Sequence, residues 1–163
     1  MEKNKMIIKG LTDEDFVNYK KPAMFIATSK CSFKCEKECG VMGMCQNHPL
    51  ATAPQIAFSD EKIVERFLSN DISEAIVFGG LEPFDQFNEL FLLIKRFREK
   101  TNDDIVIYTG YNENEIEAQV KELGRFKNII IKFGRYIPNQ VSHYDELLGA
   151  ELASDNQYAK RIN

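Results

Sequence analysis

Short apolar runs along the chain are separated by stretches in which apolar residues recur at helical spacing. Each run is continuous rather than alternating, which is typical of a strand covered on both faces of a sheet. The intervening stretches place apolar residues every three or four positions, as amphipathic helices do. The predicted strands cover residues 23–27, 75–78, 105–108 and 129–131, and the predicted helices cover 60–69, 85–100 and 112–123.

This alternation of strands and helices predicts an α/β fold with a mostly parallel sheet and right-handed crossovers. No repeat, low-complexity tract or linker divides the sequence, so 1–163 is predicted to be one domain. Residues 1–21 are mainly polar and are predicted to be an N-terminal extension, in which Thr12 or Asp13 caps a short helix through Tyr19. The end of the chain is polar and rich in turn residues.

A cysteine-rich loop follows the first predicted strand, and a glycine-containing loop follows each of the other three. The carboxyl ends of parallel strands meet at one edge of a sheet, so these loops are predicted to converge there. Their convergence favours a functional site at that edge.

All four cysteines lie in one loop, 31–49, at Cys31, Cys35, Cys39 and Cys45. Structural cysteines of a core would be scattered, so this clustering needs a local cause. Thiolates are ligands for zinc and for iron–sulfur clusters. The spacing therefore predicts a metal-binding loop, with chance free thiols or a disulfide pair as the alternatives.

Charge and hydropathy narrow the functional classes. The net charge is −4, which gives no support for a nucleic-acid or membrane surface. The N-terminus lacks the apolar core of a signal peptide, and no apolar run approaches the roughly 20 residues that span a bilayer. A cytoplasmic location is therefore expected. Because thiols stay reduced there, the disulfide alternative is weakened.

Two kinds of metal site fit the cysteine loop. A structural zinc site closes with four ligands, which the cysteines together with His48 are able to supply. Zinc ligands, however, usually form two short Cys-x2-Cys pairs that lie well apart in the sequence. An iron–sulfur cluster suits a single long loop better, because thiolates approach its bulky core from several corners.

Six short motifs follow one another at the ends of the predicted strands and near the end of the chain. They are Cys31-Ser-Phe-Lys-Cys35, Cys45-Gln-Asn47, Gly79-Gly80-Leu-Glu82-Pro83, Tyr108-Thr-Gly-Tyr111, Gly134-Arg-Tyr136 and Ser154-Asp-Asn156-Gln157. Together, and in this order, they resemble the radical S-adenosylmethionine (SAM) superfamily, and within it the small activating proteins of anaerobic ribonucleotide reductase. The similarity extends from about Met24 to Gln157.

The resemblance implies a [4Fe–4S] cluster held by three cysteines, which leaves one iron open for the amino and carboxylate groups of SAM. The family's usual spacing is Cys-x3-Cys-x2-Cys, and Cys39 lies close to the expected third position. Cys45 lies farther away, but it is followed by Asn47, as in the family's Cys-x-Asn ending. We favour Cys45, which makes 36–44 an insertion and leaves Cys39 as a spare thiol. The predicted cluster ligands are therefore Cys31, Cys35 and Cys45.

The same resemblance assigns groups that bind SAM. It places Gly79, Gly80 and Glu82 near the SAM ammonium, Thr109 and Gly110 on the ribose side, and Asn47 in the cluster loop. Ordinary turns at strand ends are the alternative explanation for the two glycine loops.

Other positions depart from the family pattern or leave their role open. Leu81 interrupts the family's Gly-Gly-Glu-Pro, and Lys132 and Phe133 stand where related activators carry an acid. Asn156 and Gln157 resemble a tail that closes over the site, with a frayed C-terminus as the alternative.

The implied activity is that of a radical SAM oxidoreductase of the glycyl-radical-activase type, which cleaves SAM reductively to a 5′-deoxyadenosyl radical under anaerobic conditions. The expected partners are a glycyl-radical enzyme, such as an anaerobic ribonucleotide reductase, and a flavodoxin- or ferredoxin-like electron donor. The chain is too short for the superfamily's larger barrel, so an incomplete (β/α) barrel is expected. The alternatives are a radical SAM reaction on a small molecule such as a deazapurine precursor, and a non-catalytic zinc-stabilised binding module.

Overall fold

The computed structural model describes residues 4–30 and 54–163 of the chain, so the predicted cluster loop, 31–49, lies outside the described residues. Strands are numbered β1 to β9 and α-helices α1 to α3 in chain order. The strands are β1 (Lys5–Asp15), β2 (Ala23–Thr28), β3 (Ile56–Ser59), β4 (Ala75–Gly80), β5 (Asp104–Tyr108), β6 (Ile129–Phe133), β7 (His143–Asp145), β8 (Ala150–Leu152) and β9 (Tyr158–Arg161). The helices are α1 (Asp60–Leu68), α2 (Phe87–Lys100) and α3 (Glu117–Leu123), with 3₁₀ turns at Pro83–Gln86 and Glu113–Glu115.

The described residues form a seven-stranded mixed sheet in the order β3-β1-β2-β4-β5-β6-β9, and β7 and β8 form a separate hairpin. The centre of the sheet is the parallel set β2, β4, β5 and β6, which are the apolar runs predicted from the sequence. Strands β1, β3 and β9 extend it with antiparallel pairings. The predicted α/β class and the parallel centre of the sheet are confirmed.

The predicted short helix in the N-terminal extension is wrong. Thr12 and Asp13 lie in β1, which pairs with both β2 and β3. Met6 and Ile8 are fully buried and alternate with less buried neighbours, which is the two-residue period of a strand. The Asp13 carboxylate does not cap a helix, because it accepts hydrogen bonds from Arg66 of α1 at 2.6 and 2.8 Å.

The two faces of the sheet are covered in different ways. The three helices pack on one face and enclose the larger apolar core. On the other face, the buried side chains of Tyr19 and Leu148 pack against the sheet. Gly149 has a φ of 69°, and a Cβ there would lie 2.6 Å from Lys20 Cβ, so the β7–β8 hairpin lies directly against the residues around Tyr19. The end of the chain therefore contributes a hairpin and an edge strand as well as the predicted turns.

The helices lie where the sequence predicts them, but α2 and α3 begin later, each after a 3₁₀ turn. The prediction that Asp85 caps α2 is wrong, because Glu82 caps the preceding turn by accepting a hydrogen bond from Phe84 N at 3.0 Å. Pro83 at the first position of that turn lacks an N–H that would otherwise need a partner. Gly124 follows the end of α3, as predicted. Within the two described ranges no helix is both long and apolar enough to cross a membrane.

Candidate functional site

The loops that follow β2, β4, β5 and β6 meet at the carboxyl edge of the parallel strands, as predicted. Backbone hydrogen bonds join the loop after β2 to the loop after β4, and the loop after β5 to β6 and the loop that follows it. The bonds run from Leu81 N to Thr28 O (3.3 Å), from Glu82 N to Lys30 O (2.6 Å), from Thr109 N to Lys132 O (2.9 Å) and from Gly134 N to Tyr111 O (3.0 Å).

Two glycines end β4, and the structure explains both. A Cβ on Gly79 would lie 2.9 Å from Phe25 Cζ, so a larger residue would push this ring away from the sheet. Gly80 has a φ of 79°, which L-residues with side chains rarely adopt. The Gly79 carbonyl accepts a 2.8 Å hydrogen bond from Thr28 Oγ1, which holds the end of β4 to the end of β2. The Gly79-Gly80 pair therefore allows a tight exit from the strand towards Glu82.

Glu82 is a buried carboxylate with three hydrogen bonds. Its Oε2 accepts from Phe84 N at 3.0 Å and from Thr109 Oγ1 at 2.8 Å, and its Oε1 accepts from Gly110 N at 2.7 Å. A Cβ on Gly110 would lie 3.5 Å from Oε1, so the glycine keeps a side chain out of contact with this oxygen. Glu82 therefore serves both as a structural cap and as the link between the β4 and β5 loops.

Burial sets the ionisation of Glu82. Loss of solvent raises the pKa of its carboxyl to about 7, although the three hydrogen bonds, which favour the charged form, oppose the shift. Near neutral pH, Glu82 is therefore poised between its neutral and charged forms. A cationic group that bound beside it would favour the carboxylate.

Lys132 supplies a buried positive charge at the same edge. Its Nζ donates a 3.0 Å hydrogen bond to Gly134 O and lies 5.9 Å from the centre of the Tyr108 ring. Burial lowers the pKa of Lys132 to about 8, and the negative charge of Glu82 partly offsets this shift. The edge of the sheet therefore combines a buried acid and a buried base within electrostatic reach of each other.

The loop after β6 is tied to the closing motif of the chain. Gly134 has a φ of 108° and lies against Asn156 and Gln157. Asn156 Nδ2 donates to Arg135 O at 2.9 Å, and Gln157 Nε2 donates to Gly134 O at 3.2 Å. Ser154 N in turn donates to Gln157 Oε1 at 3.1 Å, and β9 follows directly. The alternative of a frayed C-terminus is therefore excluded, whereas closure of this motif over a ligand stays a prediction.

The structure brings five predicted site residues to one edge, and their binding of SAM stays a prediction. They are Gly79, Gly80, Glu82, Thr109 and Gly110. The predicted ligands Cys31, Cys35 and Cys45, together with Asn47, lie outside the described residues. Among residues 4–30 and 54–163, no group of three or more His, Cys, Asp or Glu side chains is arranged to hold a metal ion.

Sequence reasoning did not identify Gln86 as part of this edge. It lies four positions after Glu82 on the same 3₁₀ turn and is 3% exposed. Its Oε1 accepts hydrogen bonds from the two residues that precede Cys31. The sequence shows only that Gln86 is a polar residue shortly after Glu82-Pro83. It does not show the partners of Gln86, because they are distant in the sequence.

Comparison with known protein families agrees with this arrangement. The family model of the 4Fe-4S single cluster domain matches residues 22–157, a range that contains all four cysteines and every loop of the edge. No curated protein and no solved structure gave a significant match to the chain. Cysteine thiolates are the usual ligands of such clusters, so the donor set of the loop fits a [4Fe–4S] group. The protein therefore carries a [4Fe–4S] cluster-binding domain and belongs to the 4Fe-4S single cluster domain family.

Proposed function

We propose that the protein is a radical SAM enzyme that cleaves SAM reductively and installs a glycyl radical on a partner enzyme. The observation that carries the proposal is the buried Glu82 carboxylate, fixed between the β4 and β5 loops at the same edge from which the chain enters the cysteine loop. In a protein of the 4Fe-4S single cluster domain family, this is an acidic subsite beside the segment that leads to the proposed cluster ligands.

The proposed cluster ligands are Cys31, Cys35 and Cys45, with Cys39 as a spare thiol. Three protein ligands leave one iron open, as a catalytic metal site requires. When bound and reduced, the cluster supplies the electron that cleaves SAM, and the resulting 5′-deoxyadenosyl radical abstracts hydrogen from a glycine of the partner. The protein contributes binding, orientation and exclusion of water around these groups.

Glu82 is the group proposed to receive the ammonium of SAM. Two of its three hydrogen bonds go to Oε2 and one to Oε1, and a carboxylate oxygen is able to accept two. Oε1 therefore retains capacity for an N–H donor from a cation. The ribose is proposed to lie along Thr109 and Gly110. Asn47 is proposed to assist from the cluster loop.

The sheet is consistent with an incomplete (β/α) barrel of the radical SAM type, whose open side would admit a large protein substrate. The proposed substrate is a glycine of an anaerobic ribonucleotide reductase or a similar glycyl-radical enzyme. The proposed electron donor is a flavodoxin- or ferredoxin-like protein of the cytoplasm. These partners follow from the motif resemblance described above.

The test is anaerobic reconstitution with iron and sulfide, followed by reduction in the presence of SAM. We expect 5′-deoxyadenosine and methionine in equal amounts, and their absence from a protein that has a full cluster would contradict the proposal. Addition of the partner should give a glycyl-radical signal by electron paramagnetic resonance. SAM cleavage without such a signal for any glycyl-radical enzyme would redirect the proposal to a small-molecule substrate. A colourless protein with one zinc per chain would contradict it altogether.

A further inference from the structure

We propose that Gln86 is the residue that positions Cys31 for cluster binding. This inference rests on Cys31 as a cluster ligand, as in the proposed function, and does not depend on SAM cleavage. The Gln86 side chain is 3% exposed and lies at the last position of the 3₁₀ turn that begins with Pro83.

Three donors converge on Gln86 Oε1. They are Ser29 N at 2.7 Å, Ser29 Oγ at 3.2 Å and Lys30 N at 3.2 Å. The amide nitrogen of Gln86 donates to Ile7 O at 2.8 Å and to Glu89 Oε2 at 2.5 Å. Backbone N–H groups only donate and backbone carbonyls only accept, so these partners determine which end of the amide is oxygen. Gln86 is thus held from both ends, by β1 and α2 on one side and by the exit of β2 on the other.

Lys30 is restrained through both of the peptide units that it shares with its neighbours in the chain. Its N–H donates to Gln86 Oε1, and its carbonyl accepts a 2.6 Å hydrogen bond from Glu82 N. The carbon of that carbonyl is bonded directly to the nitrogen of Cys31, so Lys30 is the last described residue before the proposed ligand. Glu82, which caps the 3₁₀ turn, and Gln86, which ends it, therefore hold the backbone of Lys30, the residue directly before Cys31.

Gln86 could orient the cluster ligand, or it could serve only as a hydrogen-bond partner for the N–H groups of Ser29 and Lys30. Outer groups that orient a metal ligand typically contribute roughly 10–100-fold to metal affinity. Gln86 acts on the residues immediately before a proposed ligand, whereas an equally buried polar group elsewhere would affect only folding stability. The two roles are separated by comparing cluster retention with thermal stability.

The experiment uses the reconstituted [4Fe–4S] protein and follows loss of its visible absorbance in excess chelator. The variant Gln86→Met preserves side-chain length and removes all the amide hydrogen bonds. The control is Tyr19→Phe, which removes the 2.7 Å bond from Tyr19 Oη to Asp104 at the opposite, amino edge of the sheet. We expect cluster loss to be roughly tenfold faster in Gln86→Met and unchanged in Tyr19→Phe. Equal rates in wild type and Gln86→Met, or equal acceleration in both variants, would overturn the inference.

A double variant, Gln86→Glu with Glu89→Gln, keeps an acceptor oxygen for Ser29 and Lys30 and restores the donor–acceptor pair between positions 86 and 89. It loses the bond to Ile7 O, because a carboxylate oxygen does not donate. Its net charge is that of the wild type. We expect it to recover part of the retention that Gln86→Met loses. A double variant with the thermal stability of Gln86→Met that loses its cluster equally fast would contradict the role of the acceptor. A wild-type protein that keeps its cluster but does not cleave SAM would contradict the proposed function and leave this inference intact.

Discussion

Thr109 Oγ1 donates a 2.8 Å hydrogen bond to Glu82 Oε2 and so joins the loop after β5 to the loop after β4. Glu82 lies two residues after the end of β4. Gly110 N donates a hydrogen bond to its other oxygen, Oε1, and so fixes the orientation of the carboxylate. A cation that approaches this oxygen meets a carboxylate whose direction is already set by the protein. Such preorganisation means that binding costs little rearrangement, and it makes Glu82 the most informative residue to change.

Replacement Glu82→Gln should weaken SAM binding to the reconstituted protein by roughly 10–100-fold, because a hydrogen bond to a charged group contributes about 1.5–3 kcal/mol. The amide also turns an N–H donor towards either Gly110 N or Phe84 N, which are themselves donors, so one of these hydrogen bonds is lost. The measurement is equilibrium binding of SAM under anaerobic conditions.

The matched control for this change is Glu65→Gln, an acid-to-amide substitution at an exposed position of α1. It should leave SAM affinity unchanged. If Glu82→Gln binds SAM as tightly as this control does, Glu82 is only a helix cap.

The ionisation of Glu82 predicts a pH dependence of stability. Its pKa is raised from 4.5 to about 7 by burial, so between these values the folded state holds a proton that the unfolded state has released. Folding stability therefore falls as pH rises through this range, by about 3 kcal/mol at most. The thermal midpoint of the wild type, measured relative to that of Glu82→Gln, should therefore fall between about pH 4.5 and about pH 7. A difference that is constant with pH would show that Glu82 ionises at an ordinary pKa.

The central strands and the helices were predictable because their sequence patterns report burial directly. A strand covered on both faces must be apolar throughout, and Ile105, Val106 and Ile107 are all fully buried. Strand β1 was missed because only Met6 and Ile8 are fully buried in a segment otherwise rich in polar residues. Its place in the sheet depends on pairing with β2 and β3 rather than on its own composition.

The candidate site was predictable only in part. Gly79, Glu82 and Thr109 lie at strand ends, so a parallel sheet brings them together once the strands are assigned. The role of Gln86 was not predictable, because it depends on contact with Ser29, which is 57 positions away in the sequence. Lys132 is similar, since only the folded sheet shows that its ammonium is buried near Glu82.

Replacement Lys132→Met should raise the pKa of Glu82 further, because the favourable positive charge near the carboxylate is lost. The pH midpoint of SAM binding should therefore move to a higher value, and the 3.0 Å bond to Gly134 O is lost as well. The exposed substitution Lys62→Met on α1 should leave the midpoint unchanged. An identical midpoint in the two variants would mean that Lys132 and Glu82 do not interact.

Replacement Gly134→Ala should destabilise the protein by about 1–3 kcal/mol, because its φ of 108° strains any residue with a side chain. A Cβ there would also lie 3.2 Å from Asn156 O. For a chain of this length, each kcal/mol lowers the thermal midpoint by roughly 2–4 °C. The control is Gly10→Ala, since a Cβ on Gly10 has nothing within 4 Å. Equal midpoints for both variants would show that the loop after β6 adjusts without cost.

Separate replacement of Cys45 and Cys39 by alanine decides which thiol completes the cluster. If Cys45 is the third ligand, Cys45→Ala leaves only two of the three ligand thiolates, too few to hold the cluster, and both iron content and SAM cleavage should be lost. Cys39→Ala should retain both, because a spare thiol contributes no bond to the cluster. Iron and sulfide analysis after anaerobic reconstitution measures the first property, and 5′-deoxyadenosine measures the second. The opposite result would make Cys39 the ligand and would restore the family's usual short spacing after Cys35. Loss of the cluster in both variants would mean that all the thiols are needed, which is incompatible with an iron left open for SAM.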